Sequence, residues 1–491
     1  MFLAVIIVVL ARGLRPDAFF AGDPGVKLIA ARNALAHPSR PLEIPLPTVN
    51  GRALPFVEPF FARHGDHTHA VTSELFPLLT APLIALFGLR GAYVLPALGF
   101  LMAVAAVSAL GKALDARRDG LWTGVVAAVA TPFLFYGLEL WEHMPAVALG
   151  ALGAVLTVRS AASRASGVCW AAGALFAAAT LLRPEAAWFA VAVLVASRWL
   201  DPRPSWRALA AIVAGGALAA APFELYTFLH FGTLTPPHVS TNAVLLGGTS
   251  IAERTTFARL WLFSGADASI WRATPVIAIA LAAALATAEG RGSRFLWIVA
   301  AVDAVLVLLT APNDGGAQWG PRYLLFAYLP LAVLAADAVQ VKRRASVDRP
   351  GPRLTAARTI AAAAALLVVV GGAWSQRAAY RTLRGTKAEY GRLVDALSAA
   401  VPAGGTVVTD VWWLDQAAAG VAPRGRFLYA DDDREAIELT STLQAAFVSP
   451  VVRVTSRTSP HVGTWGDGCP SQGAQPLPIA DLVMVWLDCR R

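Results

Sequence analysis

Residues 93–137 read YVLPALGFLMAVAAVSAL, GKALDARRDG, LWTGVVAAVATPFLFYG: an apolar run, a loop holding Lys112, Arg117 and Arg118, and a second apolar run. That pattern of span, basic loop, span recurs along the chain. Apolar runs lie near 1–14, 93–110, 121–137, 144–158, 168–182, 186–200, 208–229, 273–288, 295–311, 323–341 and 359–374. Several fall short of the roughly 20 residues that cross a bilayer, but they are Ala-rich and are expected to extend a turn beyond the apolar stretch. Composition agrees. The 491 residues are 56% hydrophobic and only 15% charged, with a mean hydropathy of +0.56, whereas a soluble domain keeps about a quarter of its residues charged. The expected fold class is mainly α: a polytopic helical bundle of about eleven spans.

Charge sets the expected orientation, because Lys and Arg stay on the cytoplasmic side of short loops. Alternate loops are basic: GKALDARRDG (111–120), RSAASRASG (159–167), SRWLDPRPSWR (197–207), AEGRGSR (288–294) and VKRRASVDRPGPRLTAAR (341–358). The intervening loops, LELWEH, RPE, 230–271 and NDGGAQWGPRY, are poorer in net positive charge and are placed outside. SELFPLLTAPLIALFG (73–88) is apolar too, but a full crossing there would invert every later loop, so it reads as a re-entrant or surface-lying helix. This topology puts all eight histidines, the loop 15–72 and the tail 375–491 at the outer face. A transporter needs polar groups near mid-membrane, often in two related halves; Asp303 is the one acid well inside a span, Asp337 lies near a cytoplasmic end, and no second half repeats the first.

The net charge of +9 does not point to nucleic acid, since no Lys or Arg stripe interleaves with aromatics. MFLAVIIVVL reads as a span and not as a cleavable signal, having neither a basic stretch before it nor a small-residue cleavage site after it. The domains expected are 1–374, a transmembrane part with the large first external loop 15–72, and 375–491, a small external α/β domain. In the tail, 406–410, 426–430, 451–456 and 481–487 read as strands and 433–447 as a helix. No Gly-rich phosphate fingerprint follows those strands, so a scaffold or acceptor-docking role is expected there. Three cysteines are too few for a disulfide scaffold or a CxxC zinc site. Cys469 and Cys489 are disulfide candidates in the external tail, and Cys169 sits in a span.

The strongest local chemical signal is AGDPGVKLIAARNALAH (21–37). Asp23 before Pro24 reads as a helix N-cap with proline at N1. It also reads as a carboxylate rigidly mounted at the outer face, able to act as general base. Lys27 follows one turn on, and Arg183 in LLRPE and Arg322 in WGPRY are external cations next to a span, where snorkelling at the interface is the plain reading for the arginines. Gly315, Gly316, Gly320 and Pro321 give the Arg322 segment a shaped loop. Glu142 and His143 in LWEHMP stand at a turn between spans. His64, Asp66, His67 and His69 cluster in RHGDHTH, but the spacing fits no zinc signature.

An acid in the first external loop, a juxtamembrane helix after it and then FPLLTAP–LFG together resemble the GT-C glycosyltransferases, the class that includes protein O-mannosyltransferases and the lipid A aminoarabinose transferase. LELWEHMPAVAL (138–149), LLRPEA (181–186) and GGAQWGPRYLLFAYLP (315–330) look like bacterial members. The resemblance covers 1–374, with GDPG and WGPRYL its most specific motifs. It implies an enzyme of the bacterial cytoplasmic membrane that moves a sugar from a polyprenyl-phosphate donor to a cell-envelope glycan, lipid or protein acceptor on the outer face. Asp23 would deprotonate the acceptor hydroxyl, and attack would invert the anomeric carbon; Arg322, Arg183 and Lys27 would be the cations for the leaving lipid phosphate, and Glu142 and His143 would either orient a sugar hydroxyl or cap the turn between spans. Many relatives carry a second acid beside the first; here Pro24 follows Asp23, so neither a metal nor another cofactor is expected. A lipid or solute transporter and a catalytically silent scaffold are the alternatives.

Overall fold

The computed structural model describes residues 2–46, 48–49, 52–53, 60–64, 67–162, 166–245, 250–275, 277, 290–345, 352–401, 405–421, 425–430, 435, 438–439, 442–443, 451–457, 471–479 and 481–487. In chain order the helices are α1 (Phe2–Arg12), α2 (Gly22–Ala36), α3 (Leu75–Phe87), α4 (Val94–Leu114), α5 (Gly120–Ala130), α6 (Phe133–Gly137), α7 (His143–Ala162), α8 (Ser166–Leu182) and α9 (Glu185–Ala196). They continue as α10 (Trp206–Phe231), α11 (Pro237–Leu245), α12 (Ile251–Phe263), α13 (Ile270–Ala273), α14 (Arg291–Thr310), α15 (Tyr328–Ala345), α16 (Pro352–Ala400) and α17 (Leu414–Ala417). The strands are β1 (Thr48–Val49), β2 (Arg52–Ala53), β3 (Phe61–His64), β4 (His67–Ala70), β5 (Gly405–Thr409), β6 (Gly425–Tyr429), β7 (Val451–Ser456), β8 (Ser471–Pro476) and β9 (Leu482–Leu487). Two compact units result: residues Met1–Val9 with Tyr93–Thr382, and residues Leu10–Ala92 with Leu383–Arg491.

The first unit is a helical bundle. Among the described residues four stretches are long and apolar enough to cross a membrane: Leu75–Leu114, His143–Ala161, Trp206–Phe231 and Arg291–Thr310. The first of these begins in the second unit with α3, which stops at Gly88, where φ is +62°. Thirteen residues of helix span only about 20 Å of a hydrocarbon layer about 30 Å thick. The expected span 273–288 lies largely outside the described residues.

The expected continuous span 121–137 is corrected: it is α5 and α6 with a break at Thr131–Pro132. Pro132 has no N–H to continue the ladder, and the Thr131 hydroxyl donates back to Ala127 O at 2.5 Å. Elsewhere the ends are set by ordinary capping. Asp119 accepts from the Leu121 and Trp122 amides, Ser205 from Ala208, and Ser250 with Glu253 forms a full capping box. In lipid, helices associate through close packing and not through water exclusion, so small residues mark the contacts. At Gly173 of α8 a Cβ would lie 1.9 Å from Ile212 O of α10, and at Gly99 of α4 one would lie 2.3 Å from Pro145 N of α7.

Two ion pairs tie helix ends together within this unit. Arg118 in the basic loop 111–120 forms a buried pair with Asp337, 2.7 Å from Nη2 to Oδ2. Arg291 meets Asp201 at 2.5 Å, joining the basic loops 197–207 and 288–294. The acid- and aromatic-bearing loops at 138–142, 183–184 and 313–323 come together separately.

The second unit carries a five-stranded sheet in the order β6-β5-β7-β9-β8, with β6, β5 and β7 parallel and β9 and β8 antiparallel. β5 and β7 are buried on both faces, as parallel strands usually are. Leu393, Leu397, Val407, Val452, Val454 and Met484 form the core between the end of α16 and the sheet. Four of the strands fall where the sequence places them. β8 is additional: SQGAQP has neither β-branched nor aromatic residues, and pairing with β9 supplies what propensity does not. The expected helix 433–447 and both disulfide candidates, Cys469 and Cys489, lie outside the described residues apart from short helical pieces at 435, 438–439 and 442–443.

In the same unit, the segment after α1 and helix α2 pack against α16, α17 and the turn after α17. Arg15 pairs with Asp17 at 2.8 Å and with Asp395 of α16 at 2.6 Å. Lys387, fully buried, donates to Ala18 O at 2.8 Å, and Arg32 donates to Ala419 O. At Gly25 of α2 a Cβ would fall 1.9 Å from Gln416 O. Helices α2 and α17 therefore touch backbone to backbone, which only glycine permits here.

Candidate functional site

In the helical unit, Arg183 is the centre of a buried polar network. It stands in the turn between α8 and α9, where Pro184 starts a new helix. Its guanidinium grips Glu185 through two nitrogens, Nη2 to Oε1 at 2.5 Å and Nε to Oε2 at 3.1 Å, and reaches Glu142 Oε1 at 3.2 Å. Burial opposes its charge, but Glu185 and then Glu142 outweigh that, so its pKa is raised above the usual value. Buried ions persist when they are paired and hydrogen-bonded in this way. Asp303 of α14 is fully buried, has no hydrogen-bond partner among the described residues, and is close enough to Glu185 to interact electrostatically.

Arg322 is placed by an unusual loop. Gly315, Gly316 and Gly320 have φ of +95°, +59° and +69°, conformations that L side chains rarely adopt. Gln318 locks the loop from inside: its Nε2 donates to Asp314 O at 2.7 Å, and its Oε1 accepts from the Arg322 amide at 2.7 Å. Tyr323 donates to Asn313 Oδ1 at 3.0 Å, and the buried Trp261 ties down Asp314 O through Nε1 at 2.8 Å. The shaped loop expected around Arg322 is therefore built by three left-handed glycines and one buried glutamine.

The two arginines share one ring. Arg183 lies 5.6 Å and Arg322 5.4 Å from the centroid of Tyr323. Arg183 is held by two carboxylates, and Arg322 sits on the glycine loop. Beneath them Tyr136, Trp141 and His143 form a buried aromatic cluster with centroids 5.0 to 5.4 Å apart. Glu142 and His143 are each 2% exposed. Glu142 caps α7 through its carbonyl, which accepts from Ala146 at 3.0 Å, while its side chain holds Arg183.

Asp23 and Lys27 belong to the other unit. The expected N-cap role for Asp23 is corrected: the cap position is Ala21, with extended backbone at φ −148° and ψ −176° and no side-chain cap bond. Asp23 is inside the first turn of α2, half-buried, where a carboxylate is favoured by the exposed amides and the helix dipole. The helix starts at Gly22, two residues earlier than the Asp-Pro pair predicts. Lys27 is 4% exposed one turn further on. In the HGDHTH segment, His67 Nδ1 meets Glu43 at 3.2 Å, His69 is buried, and Asp66 lies outside the described residues.

Sequence reasoning found Glu142, Arg183 and Arg322 and missed Glu185, Gln318 and Tyr323. Glu185 was legible as the acid two residues after Arg183 in LLRPE. Gln318 gave no signal, because its role depends on loop closure.

No family model matches the chain and no curated protein matches its sequence. Solved structures do match. ArnT from Cupriavidus metallidurans in the apo state aligns with a TM-score of 0.62 over 99% of this chain and 97% of its own, at 14% identity. The same protein bound to undecaprenyl phosphate gives 0.56 over 99% and 97%, at 13% identity. An oligosaccharyltransferase from Archaeoglobus fulgidus, in complex with zinc and sulfate, gives 0.51 over 92% of this chain and 67% of its own, at 12% identity. The chain has the GT-C glycosyltransferase fold.

Proposed function

We propose that this protein is a membrane glycosyltransferase that takes a sugar from a polyprenyl-phosphate carrier and passes it to an acceptor on the outer face of the bacterial cytoplasmic membrane. The observation that carries the reading is a fold shared, over nearly the whole of both chains, with ArnT, a protein that has been crystallised with undecaprenyl phosphate. About eleven spans, with the α/β sheet outside, complete the proposed arrangement.

Chemically, Asp23 accepts the proton of an acceptor hydroxyl while that oxygen bonds to the anomeric carbon. The carbon–oxygen bond to the lipid phosphate breaks, and the electron pair leaves with the phosphate. Attack from the face opposite the phosphate inverts the carbon. A phosphodianion is already a good leaving group, and what it needs is positive charge. Arg322 is proposed to supply it through a bidentate contact. Arg183, already matched by Glu142 and Glu185, is proposed to act through the Tyr323 ring as a positioning residue. Glu142 and His143 hold Arg183 and the aromatic cluster, and Lys27 is a second cation for the carrier.

Two measurements test the reading. Lipid extracted from purified protein should contain polyprenyl phosphate or its sugar ester by mass spectrometry, and a labelled polyprenyl-phosphate sugar should be consumed. Protein that retains no such lipid and consumes none of a set of such donors overturns it.

A further inference from the structure

The parallel strands of the second unit run in the order β6-β5-β7, so the chain leaves β5 in one direction and later returns past it in the other. Crossovers between parallel strands are right-handed, which puts the two connections on opposite faces and opens a crevice at the carboxyl ends of β5 and β7. In open α/β sheets that is where ligands bind. The residues at this point are Asp410, directly after β5, and Thr455, near the end of β7. Thr455 donates to Asp410 Oδ2 at 2.8 Å, and buried Arg453 lies 3.6 Å from the same oxygen.

The segment after β5 is rich in hydrogen-bond acceptors that lack donors. Among the described residues Asp410 Oδ1, Asp415 Oδ2 and Gln416 Oε1 are all buried and without a hydrogen-bond partner. Gln416 is 0% exposed and Asp415 8%, so each orphaned acceptor is costly unless something donates to it. Beside them is an open aromatic surface. Trp412 stacks on Phe60 with centroids 5.6 Å apart and planes 9° apart, yet it remains 48% exposed; Phe60 covers one face and leaves the other to solvent. The group adjoins the first turn of α2: a Cβ on Gly22 would lie 3.1 Å from Gln416 Oε1 and 3.5 Å from the Phe60 ring. Gly22 precedes Asp23.

We propose that Trp412 and Phe60, with Asp410, Asp415 and Gln416, form a subsite for a pyranose ring, and that this ring belongs to the acceptor. A pyranose presents a face of C–H groups, which suits the open side of an indole, and several hydroxyls, each able to donate to an orphaned oxygen. Its place next to Asp23 gives it the acceptor role, and that part rests on the proposed sugar transfer. The acceptor is then a glycan or a glycosylated lipid headgroup, and not an unglycosylated protein side chain.

The test is saturation-transfer NMR on the full chain in nanodiscs free of glycolipid and glycoside detergent, with methyl pyranosides of glucose, galactose, mannose, N-acetylglucosamine and arabinose as probes. At least one should receive saturation at its ring C–H protons. Trp412→Ala should weaken that binding about tenfold or more, and Trp412→Phe, which keeps a ring to stack on, should restore it to within about threefold. Asp410→Ala should weaken it as well. Binding by none of the probes, or binding untouched in Trp412→Ala, overturns the subsite. Consumption of a polyprenyl-phosphate sugar by a protein that binds no pyranoside would sink the subsite and leave the donor reading standing. Pyranoside binding that is lost in Trp412→Ala, in a protein that uses no donor, would keep the subsite and remove its acceptor role.

Discussion

Replacing Asp415 by Asn should make the sheet unit more stable at pH 8 and leave it unchanged near pH 4. Asp415 is 8% exposed, accepts from the Gln416 amide at 2.7 Å, and has no partner for Oδ2 among the described residues. Burial pushes its pKa from 3.8 up to about 7 even though backbone amides of Gln416 and Asp415 work the other way. The folded state therefore holds this proton more tightly than the unfolded chain, and stability falls as pH rises between the two values. The cost starts near pH 4, grows by about 1.4 kcal/mol per pH unit, and levels off above pH 7 at about 4 kcal/mol. Asn keeps the oxygen that accepts from Gln416 and cannot ionise. Hydrogen exchange, corrected for intrinsic rates, on the Ala417 and Ala418 amides, bonded to Trp413 O at 3.1 Å and Leu414 O at 2.8 Å, should read the difference. Opening free energy in the native protein should decline from pH 4.5 to 8, while Asp415→Asn should stay flat. A native profile as flat as that of the variant would refute the argument, since a carboxylate buried without a second partner cannot be insensitive to its own ionisation.

Asp23→Asn should lower sugar transfer by about 100- to 10,000-fold with normal expression and melting temperature, because a general base is lost while the first turn of α2 keeps a polar residue; a twofold loss would count against the base. Arg322→Lys should reduce kcat and kcat/KM for the lipid donor together if the guanidinium tightens on the leaving phosphate, whereas interfacial snorkelling predicts donor kinetics like those of the native protein. Gly173→Ala should cost about 1–3 kcal/mol in thermal unfolding, because its Cβ would meet Ile212 O at 1.9 Å, while Gly167→Ala, which meets nothing within 4 Å, should be neutral or slightly stabilising; equal melting of the two variants would contradict the close α8–α10 contact. Reporter fusions after Arg118 and Arg164 should read cytoplasmic and a fusion after Arg491 external, and a cytoplasmic tail would overturn the proposed outer-face site.

Taken alone, the sequence carries what depends on local pattern. Apolar runs separated by basic loops are read one segment at a time, since the bilayer acts on each span by its length and each loop by its charge. The four strands at 405–409, 425–429, 451–456 and 482–487 were legible for the same reason, being short runs rich in β-branched and aromatic residues. Arg183 and Arg322 stood out because a cation at a span end is locally conspicuous. Tertiary structure decided everything that needs a partner from far along the chain. Arg183 is already matched because of Glu142, 41 residues earlier, and Arg322 is aimed by Gln318 because three left-handed glycines close a loop. Helix α2 docks on α17 because Gly25 leaves room for Gln416 O, almost four hundred residues on. No propensity or periodicity encodes such pairings, because each residue's share is ordinary until folding brings the other within reach, and β8 shows the same rule in miniature: a segment with no strand signal of its own becomes a strand because β9 offers it an edge.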